Sequence, residues 1–136
     1  MTRSSAINKI FIVWIVILLP SILLFTAQSI AGKFGEDSSF AWNWLLGQVM
    51  PVLALLLAAI FSSPTRYWRN HAANLFRWQC AMAACLFQGI SMLAILLVEP
   101  LIVSTIFELF DKTGVFMSIL QGVVIAAVGA VVFDGR

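Results

Sequence analysis

The sequence predicts an all-α polytopic membrane protein: one domain, residues 1–136, folded as a compact bundle of four transmembrane helices. Of its 136 residues, 62% are hydrophobic and 10% are charged, whereas soluble domains carry about 25% charged residues. The mean hydropathy is +1.02. A soluble protein of this size has too small an interior to bury so much apolar surface. The lipid bilayer is therefore the expected environment of the chain. The net charge of +2 is too small to indicate a nucleic-acid partner.

Four apolar runs are long enough to cross the hydrocarbon core, which takes about 20 helical residues. The first run is longer than the core of a signal peptide, so we expect it to be retained. Pro20 lies within the first run and frees a backbone carbonyl that neighbouring helices must cover, and Pro51 interrupts the second run in the same way. The predicted spans are 10–29, 40–61, 79–98 and 115–133.

Two segments between the spans carry their own predictions. Residues 65–78 are polar and aromatic, and we expect them to continue into the third span as one long or bent helix. Residues 101–110 are too short to cross, and we interpret them as a non-spanning amphipathic segment, re-entrant or interfacial. Residues 111–114 are then expected to turn the chain into the last span.

The distribution of Lys and Arg predicts the orientation, because cytoplasmic loops are enriched in both residues. With the N-terminus inside, two basic residues, Lys33 and Lys112, lie outside and six lie inside. We therefore expect both termini to be cytoplasmic, in a bacterial inner (plasma) membrane. The bacterial assignment comes from the short loops and small size. The inside residues are Arg3, Lys9, Arg66, Arg69, Arg77 and Arg136.

Small residues follow one another along one side of the last span. Such a stripe lets another helix approach closely. We expect it to pack within the bundle, against the small residues of the third span, with a hydrogen bond from Gln121 beside it. Self-association through the last span is the alternative. The stripe consists of Gly114, Ser118, Gly122, Ala126 and Gly129.

Glutamines are the polar residues expected inside the membrane, chiefly Gln48, Gln88 and Gln121. An interhelical hydrogen bond from such a side chain contributes roughly 0.6–2 kcal/mol. We expect these glutamines to connect helices within one subunit. Two alternatives stay open: they line a pore formed by an oligomer, or they connect one subunit to another.

The sequence lacks the residues that several classes of transporter, enzyme and metal-binding protein require. No Asp, Glu, Lys, Arg or His lies near the middle of a span, although proton-coupled transporters need such a group at depth. Small multidrug transporters of four helices use a glutamate in their first span, where this chain has Ser21, Thr26 and Gln28. No catalytic motif is present, and His71 stands apart from other metal ligands. We expect no enzyme activity, no cofactor and no metal.

A cluster of basic and aromatic residues precedes the third span and suits contact with anionic lipid or a cytoplasmic protein. We therefore expect an oligomerising or partner-binding membrane subunit, of an accessory, immunity or defence-type class. A small channel or membrane-permeabilising protein whose pore forms by oligomerisation is the alternative, and a carrier for a neutral solute is the third possibility. The cluster consists of Arg66, Tyr67, Trp68, Arg69 and Arg77.

Overall fold

The computed structural model describes residues 2–61, 74–98 and 106–133. This part of the chain contains four helices that are long and apolar enough to cross a membrane, which confirms the predicted fold class. A short 3-10 helix, Gly35–Asp37, joins the first two helices. The four long helices are α1 (Arg3–Ile30), α2 (Ser38–Phe61), α3 (Leu75–Val98) and α4 (Ile106–Val132).

Asn74 sets the beginning of α3. Its side-chain Oδ1 accepts hydrogen bonds from the backbone N–H groups of Phe76, at 3.0 Å, and of Arg77, at 3.4 Å. An N-cap of this kind satisfies donors that a first helical turn leaves unpaired. α3 therefore begins at Leu75, and residues 75–78 join the third span as expected. For residues 65–73, the expectation of one long or bent helix stays a prediction. Residues 62–73 lie outside the described ranges.

The last helix begins earlier than the sequence indicated. Ile106–Phe110 form its first turns, and the expected turn at 111–114 is helical. The prediction of a separate amphipathic segment is therefore wrong for residues 106–110. Residues 101–105 lie outside the described residues. Phe110 lies within this stretch and is buried against other aromatic rings. This packing outweighs the low helix propensity of Gly114.

The helices form a ring in which each contacts two main neighbours. α3 packs against α1 and α4, α2 packs against α4, and a less extensive α1–α2 contact closes the ring. Within each span only about a third of the residues are buried, from 28% to 33%. Most of each helix surface therefore faces away from the bundle.

α1 and α3 approach each other closely at Gly89 of α3. A Cβ atom at position 89 would lie 3.2 Å from the Cβ of Ile17 and would overlap that residue's Cγ2 methyl group. Position 89 is buried. Glycine is required here because it has no side chain to separate the two helices.

Aromatic rings close one end of the bundle, where α1 ends and where α2 and α4 begin. The rings of Phe25 and Phe34 have centroids 4.7 Å apart, and Trp42 meets Phe25 edge-on at 5.0 Å. Trp44 of α2 stacks on Phe110 of α4 at 4.4 Å. These contacts hold three helices and their connector together at this end, and aromatic pairs contribute about 0.5–1.5 kcal/mol beyond their buried area.

We predict that Gly89→Ala lowers the free energy of unfolding by about 1–3 kcal/mol, because the new methyl group forces α1 away from α3. Thermal unfolding in a mild detergent, followed by tryptophan fluorescence, measures the effect. Gly47→Ala is the matched control, since a Cβ atom at position 47 meets nothing within 4 Å. Equal unfolding temperatures for the two variants would contradict the close approach at Gly89.

Candidate functional site

Three glutamines form a buried layer between α2, α3 and α4. Gln48, Gln88 and Gln121 are 6%, 0% and 9% exposed, respectively. The Gln88 side-chain amide donates to the backbone carbonyl of Gln48 at 3.3 Å. The Gln121 amide donates to the backbone carbonyl of Gly47 at 2.7 Å. Both donors therefore engage consecutive carbonyl groups of α2, within one subunit.

The bond from Gln121 replaces a bond that α2 cannot make. In an α-helix the N–H of residue 51 would donate to the carbonyl of Gly47, but Pro51 has no N–H. An unpaired carbonyl in hydrocarbon costs several kcal/mol, so another donor is needed. Gln121 supplies this donor from α4. The proline in one helix and the glutamine in another thus act as a pair.

Some polar atoms near the centre of the bundle have no hydrogen-bond partner within the described part of the chain. They include the Oε1 atoms of Gln48 and Gln88, the Ser21 hydroxyl and the Trp14 indole N–H. All four groups are neutral. Chemically, such a layer can accept or donate hydrogen bonds to a small neutral molecule, but it has no group that carries a proton.

The small-residue stripe of α4 faces away from the other helices. Ser118, Gly122 and Ala126 are exposed, while Gly114 and Gly129 are partly exposed. A Cβ atom at Gly114 or Gly122 would meet nothing within 4 Å. The expectation that the stripe packs against the third span is therefore wrong, and the hydrogen bond of Gln121 goes to α2 rather than to α3.

Larger residues form the buried side of α4 instead of the stripe. Helix association in lipid depends on van der Waals packing, and longer side chains make more of these contacts. These residues fill the space inside the bundle and leave the small side chains outward. The buried apolar residues along this side include Met117, Leu120, Val124 and Val128.

An open groove lies between the first turns of α2 and the first half of α4. Its volume is about 450 Å³. Phe40 and Trp44 of α2 form one wall, and Asp111, Gly114 and Ser118 are among the α4 residues on the other. The groove is open along α4 because Gly114 and Ser118 at its edge have small side chains.

The remaining predicted site residues are only partly described. Arg77 is exposed near the beginning of α3. Arg66, Tyr67, Trp68 and Arg69 lie outside the described ranges, as does His71. Within residues 2–61, 74–98 and 106–133, no three His, Cys, Asp or Glu residues lie close enough together to hold a metal ion.

Sequence reasoning missed two features of the structure. One is the close approach of α1 at Gly89, although Gly89 continues the four-residue spacing of the small buried residues Ala81 and Cys85. The other is the pairing of Gln121 with the Gly47 carbonyl, although the sequence contains half of that signal. A proline within a span marks the carbonyl four residues earlier as unpaired, so Pro51 identifies Gly47 in advance. The helix that provides the donor is visible only in the folded structure.

No protein-family model, curated protein or solved structure matches this chain. Its class therefore follows from the fold alone: an all-α bundle of four packed helices, each long and apolar enough to cross a membrane.

We predict that Gln121→Leu destabilises the bundle by about 1–2 kcal/mol, because it leaves the Gly47 carbonyl without a donor in hydrocarbon. Pro51→Ala restores an N–H at position 51, so adding Pro51→Ala to Gln121→Leu should recover most of the loss. A double-mutant cycle of unfolding free energies in detergent measures this coupling.

Gln79→Leu is the control for that cycle, because Gln79 is an exposed glutamine near the beginning of α3. It should change the unfolding free energy little. If the losses from Pro51→Ala and Gln121→Leu simply add, the two residues do not act as a pair.

Proposed function

We propose that this chain is a small, non-enzymatic membrane protein that acts as an oligomerising subunit through the outward face of α4. The observation that carries this proposal is the exposure of Ser118, Gly122 and Ala126 along one side of a helix whose opposite side is buried in the bundle. The proposed location is a bacterial inner membrane, with both termini in the cytoplasm.

The chemistry of this face suits a second helix. The Ser118 hydroxyl donates to the Gly114 carbonyl in the same helix at 2.8 Å, so its donor needs no external partner. Val115, Ile119 and Val123 are exposed beside the stripe. A row of small residues with branched side chains along its edge lets two helix backbones come close and gain van der Waals contact.

Two helices related by a two-fold axis along the membrane normal would bring the same residues into contact. Gly122 and Ala126 lie in the apolar half of the stripe, away from Asp111 and Lys112. We place the centre of the contact there. Right-handed crossings of small-residue helices are common at angles near −40°, so the ends of the paired helices would diverge.

For binding of a protein partner, we assign the cytoplasmic contact to the basic and aromatic cluster that contains Arg66, Arg69 and Arg77. Exposure of Arg77 near the beginning of α3 supports this assignment. Accessory, immunity and defence-type roles are the functions in which a membrane subunit of this size fits. A co-purifying protein would add mass beyond multiples of the 15.0 kDa chain.

A channel has less support, because the side-chain amide donors of Gln88 and Gln121 are engaged with α2. We predict that liposomes containing the purified protein retain a small dye and an ion gradient as well as protein-free liposomes do. Leakage that disappears in Gln88→Leu would contradict the subunit proposal and favour a pore. Saturable uptake of a neutral solute would favour a carrier.

We predict that Gly122→Ile converts the oligomer into a 15.0 kDa monomer while leaving the unfolding temperature of the subunit unchanged. The branched side chain fills the contact between subunits but meets open space within one subunit. Size-exclusion chromatography with light scattering in mild detergent gives the protein mass.

Val123→Ile is the matched control, since residue 123 is already large and exposed on the same helix. It should leave the mass of the oligomer intact. A monomeric wild-type protein, or an oligomer that survives Gly122→Ile, would overturn the assignment of the contact to this face.

A further inference from the structure

The groove between α2 and α4 combines an apolar, aromatic wall with one carboxylate. Phe40, Trp44 and Phe110 provide the rings, and Asp111 lies among the lining residues. Gly114 and Ser118 extend the groove along α4. A site of about 450 Å³ falls within the range of pockets that bind small molecules, roughly 300–1,000 Å³.

The carboxylate of Asp111 is available for a ligand. It is exposed and has no ion-pair partner within the described residues, whereas its neighbour Glu108 lies 4.0 Å from Lys112 in an i, i+4 pair. The groove therefore contains one negative charge next to aromatic faces. Both features attract a cation, the carboxylate through its charge and the rings through their π-electrons.

The shape of the groove requires a second feature of the ligand, because the groove continues from Asp111 along an apolar surface. Phe40 and Trp44 lie in the first turns of α2, and aromatic residues at helix ends prefer the level of lipid headgroups. Gly114 and Ser118 lie one and two turns further along α4. A ligand that matches this surface has a cationic head and an apolar chain that runs along the helix.

We propose that this groove binds a zwitterionic glycerophospholipid, with its ammonium group at Asp111 and an acyl chain along Gly114 and Ser118. Phosphatidylethanolamine has this chemistry. An anionic lipid without an ammonium group lacks the cation that Asp111 attracts. This inference goes beyond the proposed oligomer and does not depend on it.

A second copy of the chain fits this end of α4 less well than a lipid does. In a two-fold contact centred here, the two Asp111 carboxylates would approach each other, and like charges disfavour such a contact. Gly122 and Ala126 have no charged residue beside them. The two halves of the outward face thus suit different occupants, a lipid near Asp111 and a helix near Gly122.

Native mass spectrometry of the purified protein tests the proposal. The probes are phosphatidylethanolamine and phosphatidylglycerol with identical acyl chains, each titrated into detergent-solubilised protein. We expect one tightly retained phosphatidylethanolamine per chain and weaker retention of phosphatidylglycerol. Asp111→Asn should weaken phosphatidylethanolamine binding about tenfold, the loss expected for one charge-assisted hydrogen bond.

Glu108→Gln is the matched control, because it removes an acidic charge one turn away that does not line the groove. It should leave lipid binding unchanged. Gly114→Leu fills the groove and should also displace the lipid, while the unfolding temperature shows whether each variant still folds.

Equal binding of the two lipids, or equal binding by the wild type and Asp111→Asn, would overturn the proposal. If the wild type retains no lipid and Gly114→Leu loses the oligomer mass, the proposal is also overturned, since a second copy would then occupy the groove.

Discussion

One hydrogen bond to a backbone carbonyl is central to the way α2 joins the bundle. Pro51 removes the N–H that would bind Gly47, and a helix in lipid has no water to take its place. Gln121 provides the missing donor at 2.7 Å, and Gln88 donates to the adjacent carbonyl at 3.3 Å. These two bonds attach α2 to α4 and α3 at one level. Elsewhere, van der Waals packing and aromatic contacts hold the helices together.

The two sides of α4 differ in burial and in the size of the side chains along them. Met117, Leu120 and Val124 are buried and fill the bundle, while Gly122 and Ala126 are exposed. Within a membrane, apolar side chains gain little by leaving lipid for protein, so close packing decides which side is buried. The small side is thereby left for contacts outside the subunit, and the proposed function depends on that surface.

Particular residues show where sequence reasoning succeeded and where it did not. The four spans and the all-α class followed from hydrophobic runs whose length matches the bilayer. The turn expected at 111–114 did not form, because burial of Phe110 and stacking on Trp44 keep this stretch helical. The stripe from Gly114 to Ala126 was recognised correctly as a feature of α4 but was assigned to the wrong neighbour. Spacing defines which residues share a face and leaves open what that face contacts.

The sequence by itself determined that this chain forms four apolar helices, because the hydrocarbon core imposes a length and offers backbone groups no water to bond with. It also determined which positions carry polar side chains at depth. Only the tertiary structure decided that Gln121 serves the carbonyl freed by Pro51, that Gly89 meets Ile17, and that Gly122 faces outward. Each of these facts depends on the rotation of one helix against another, and residues far apart in the chain set that rotation together.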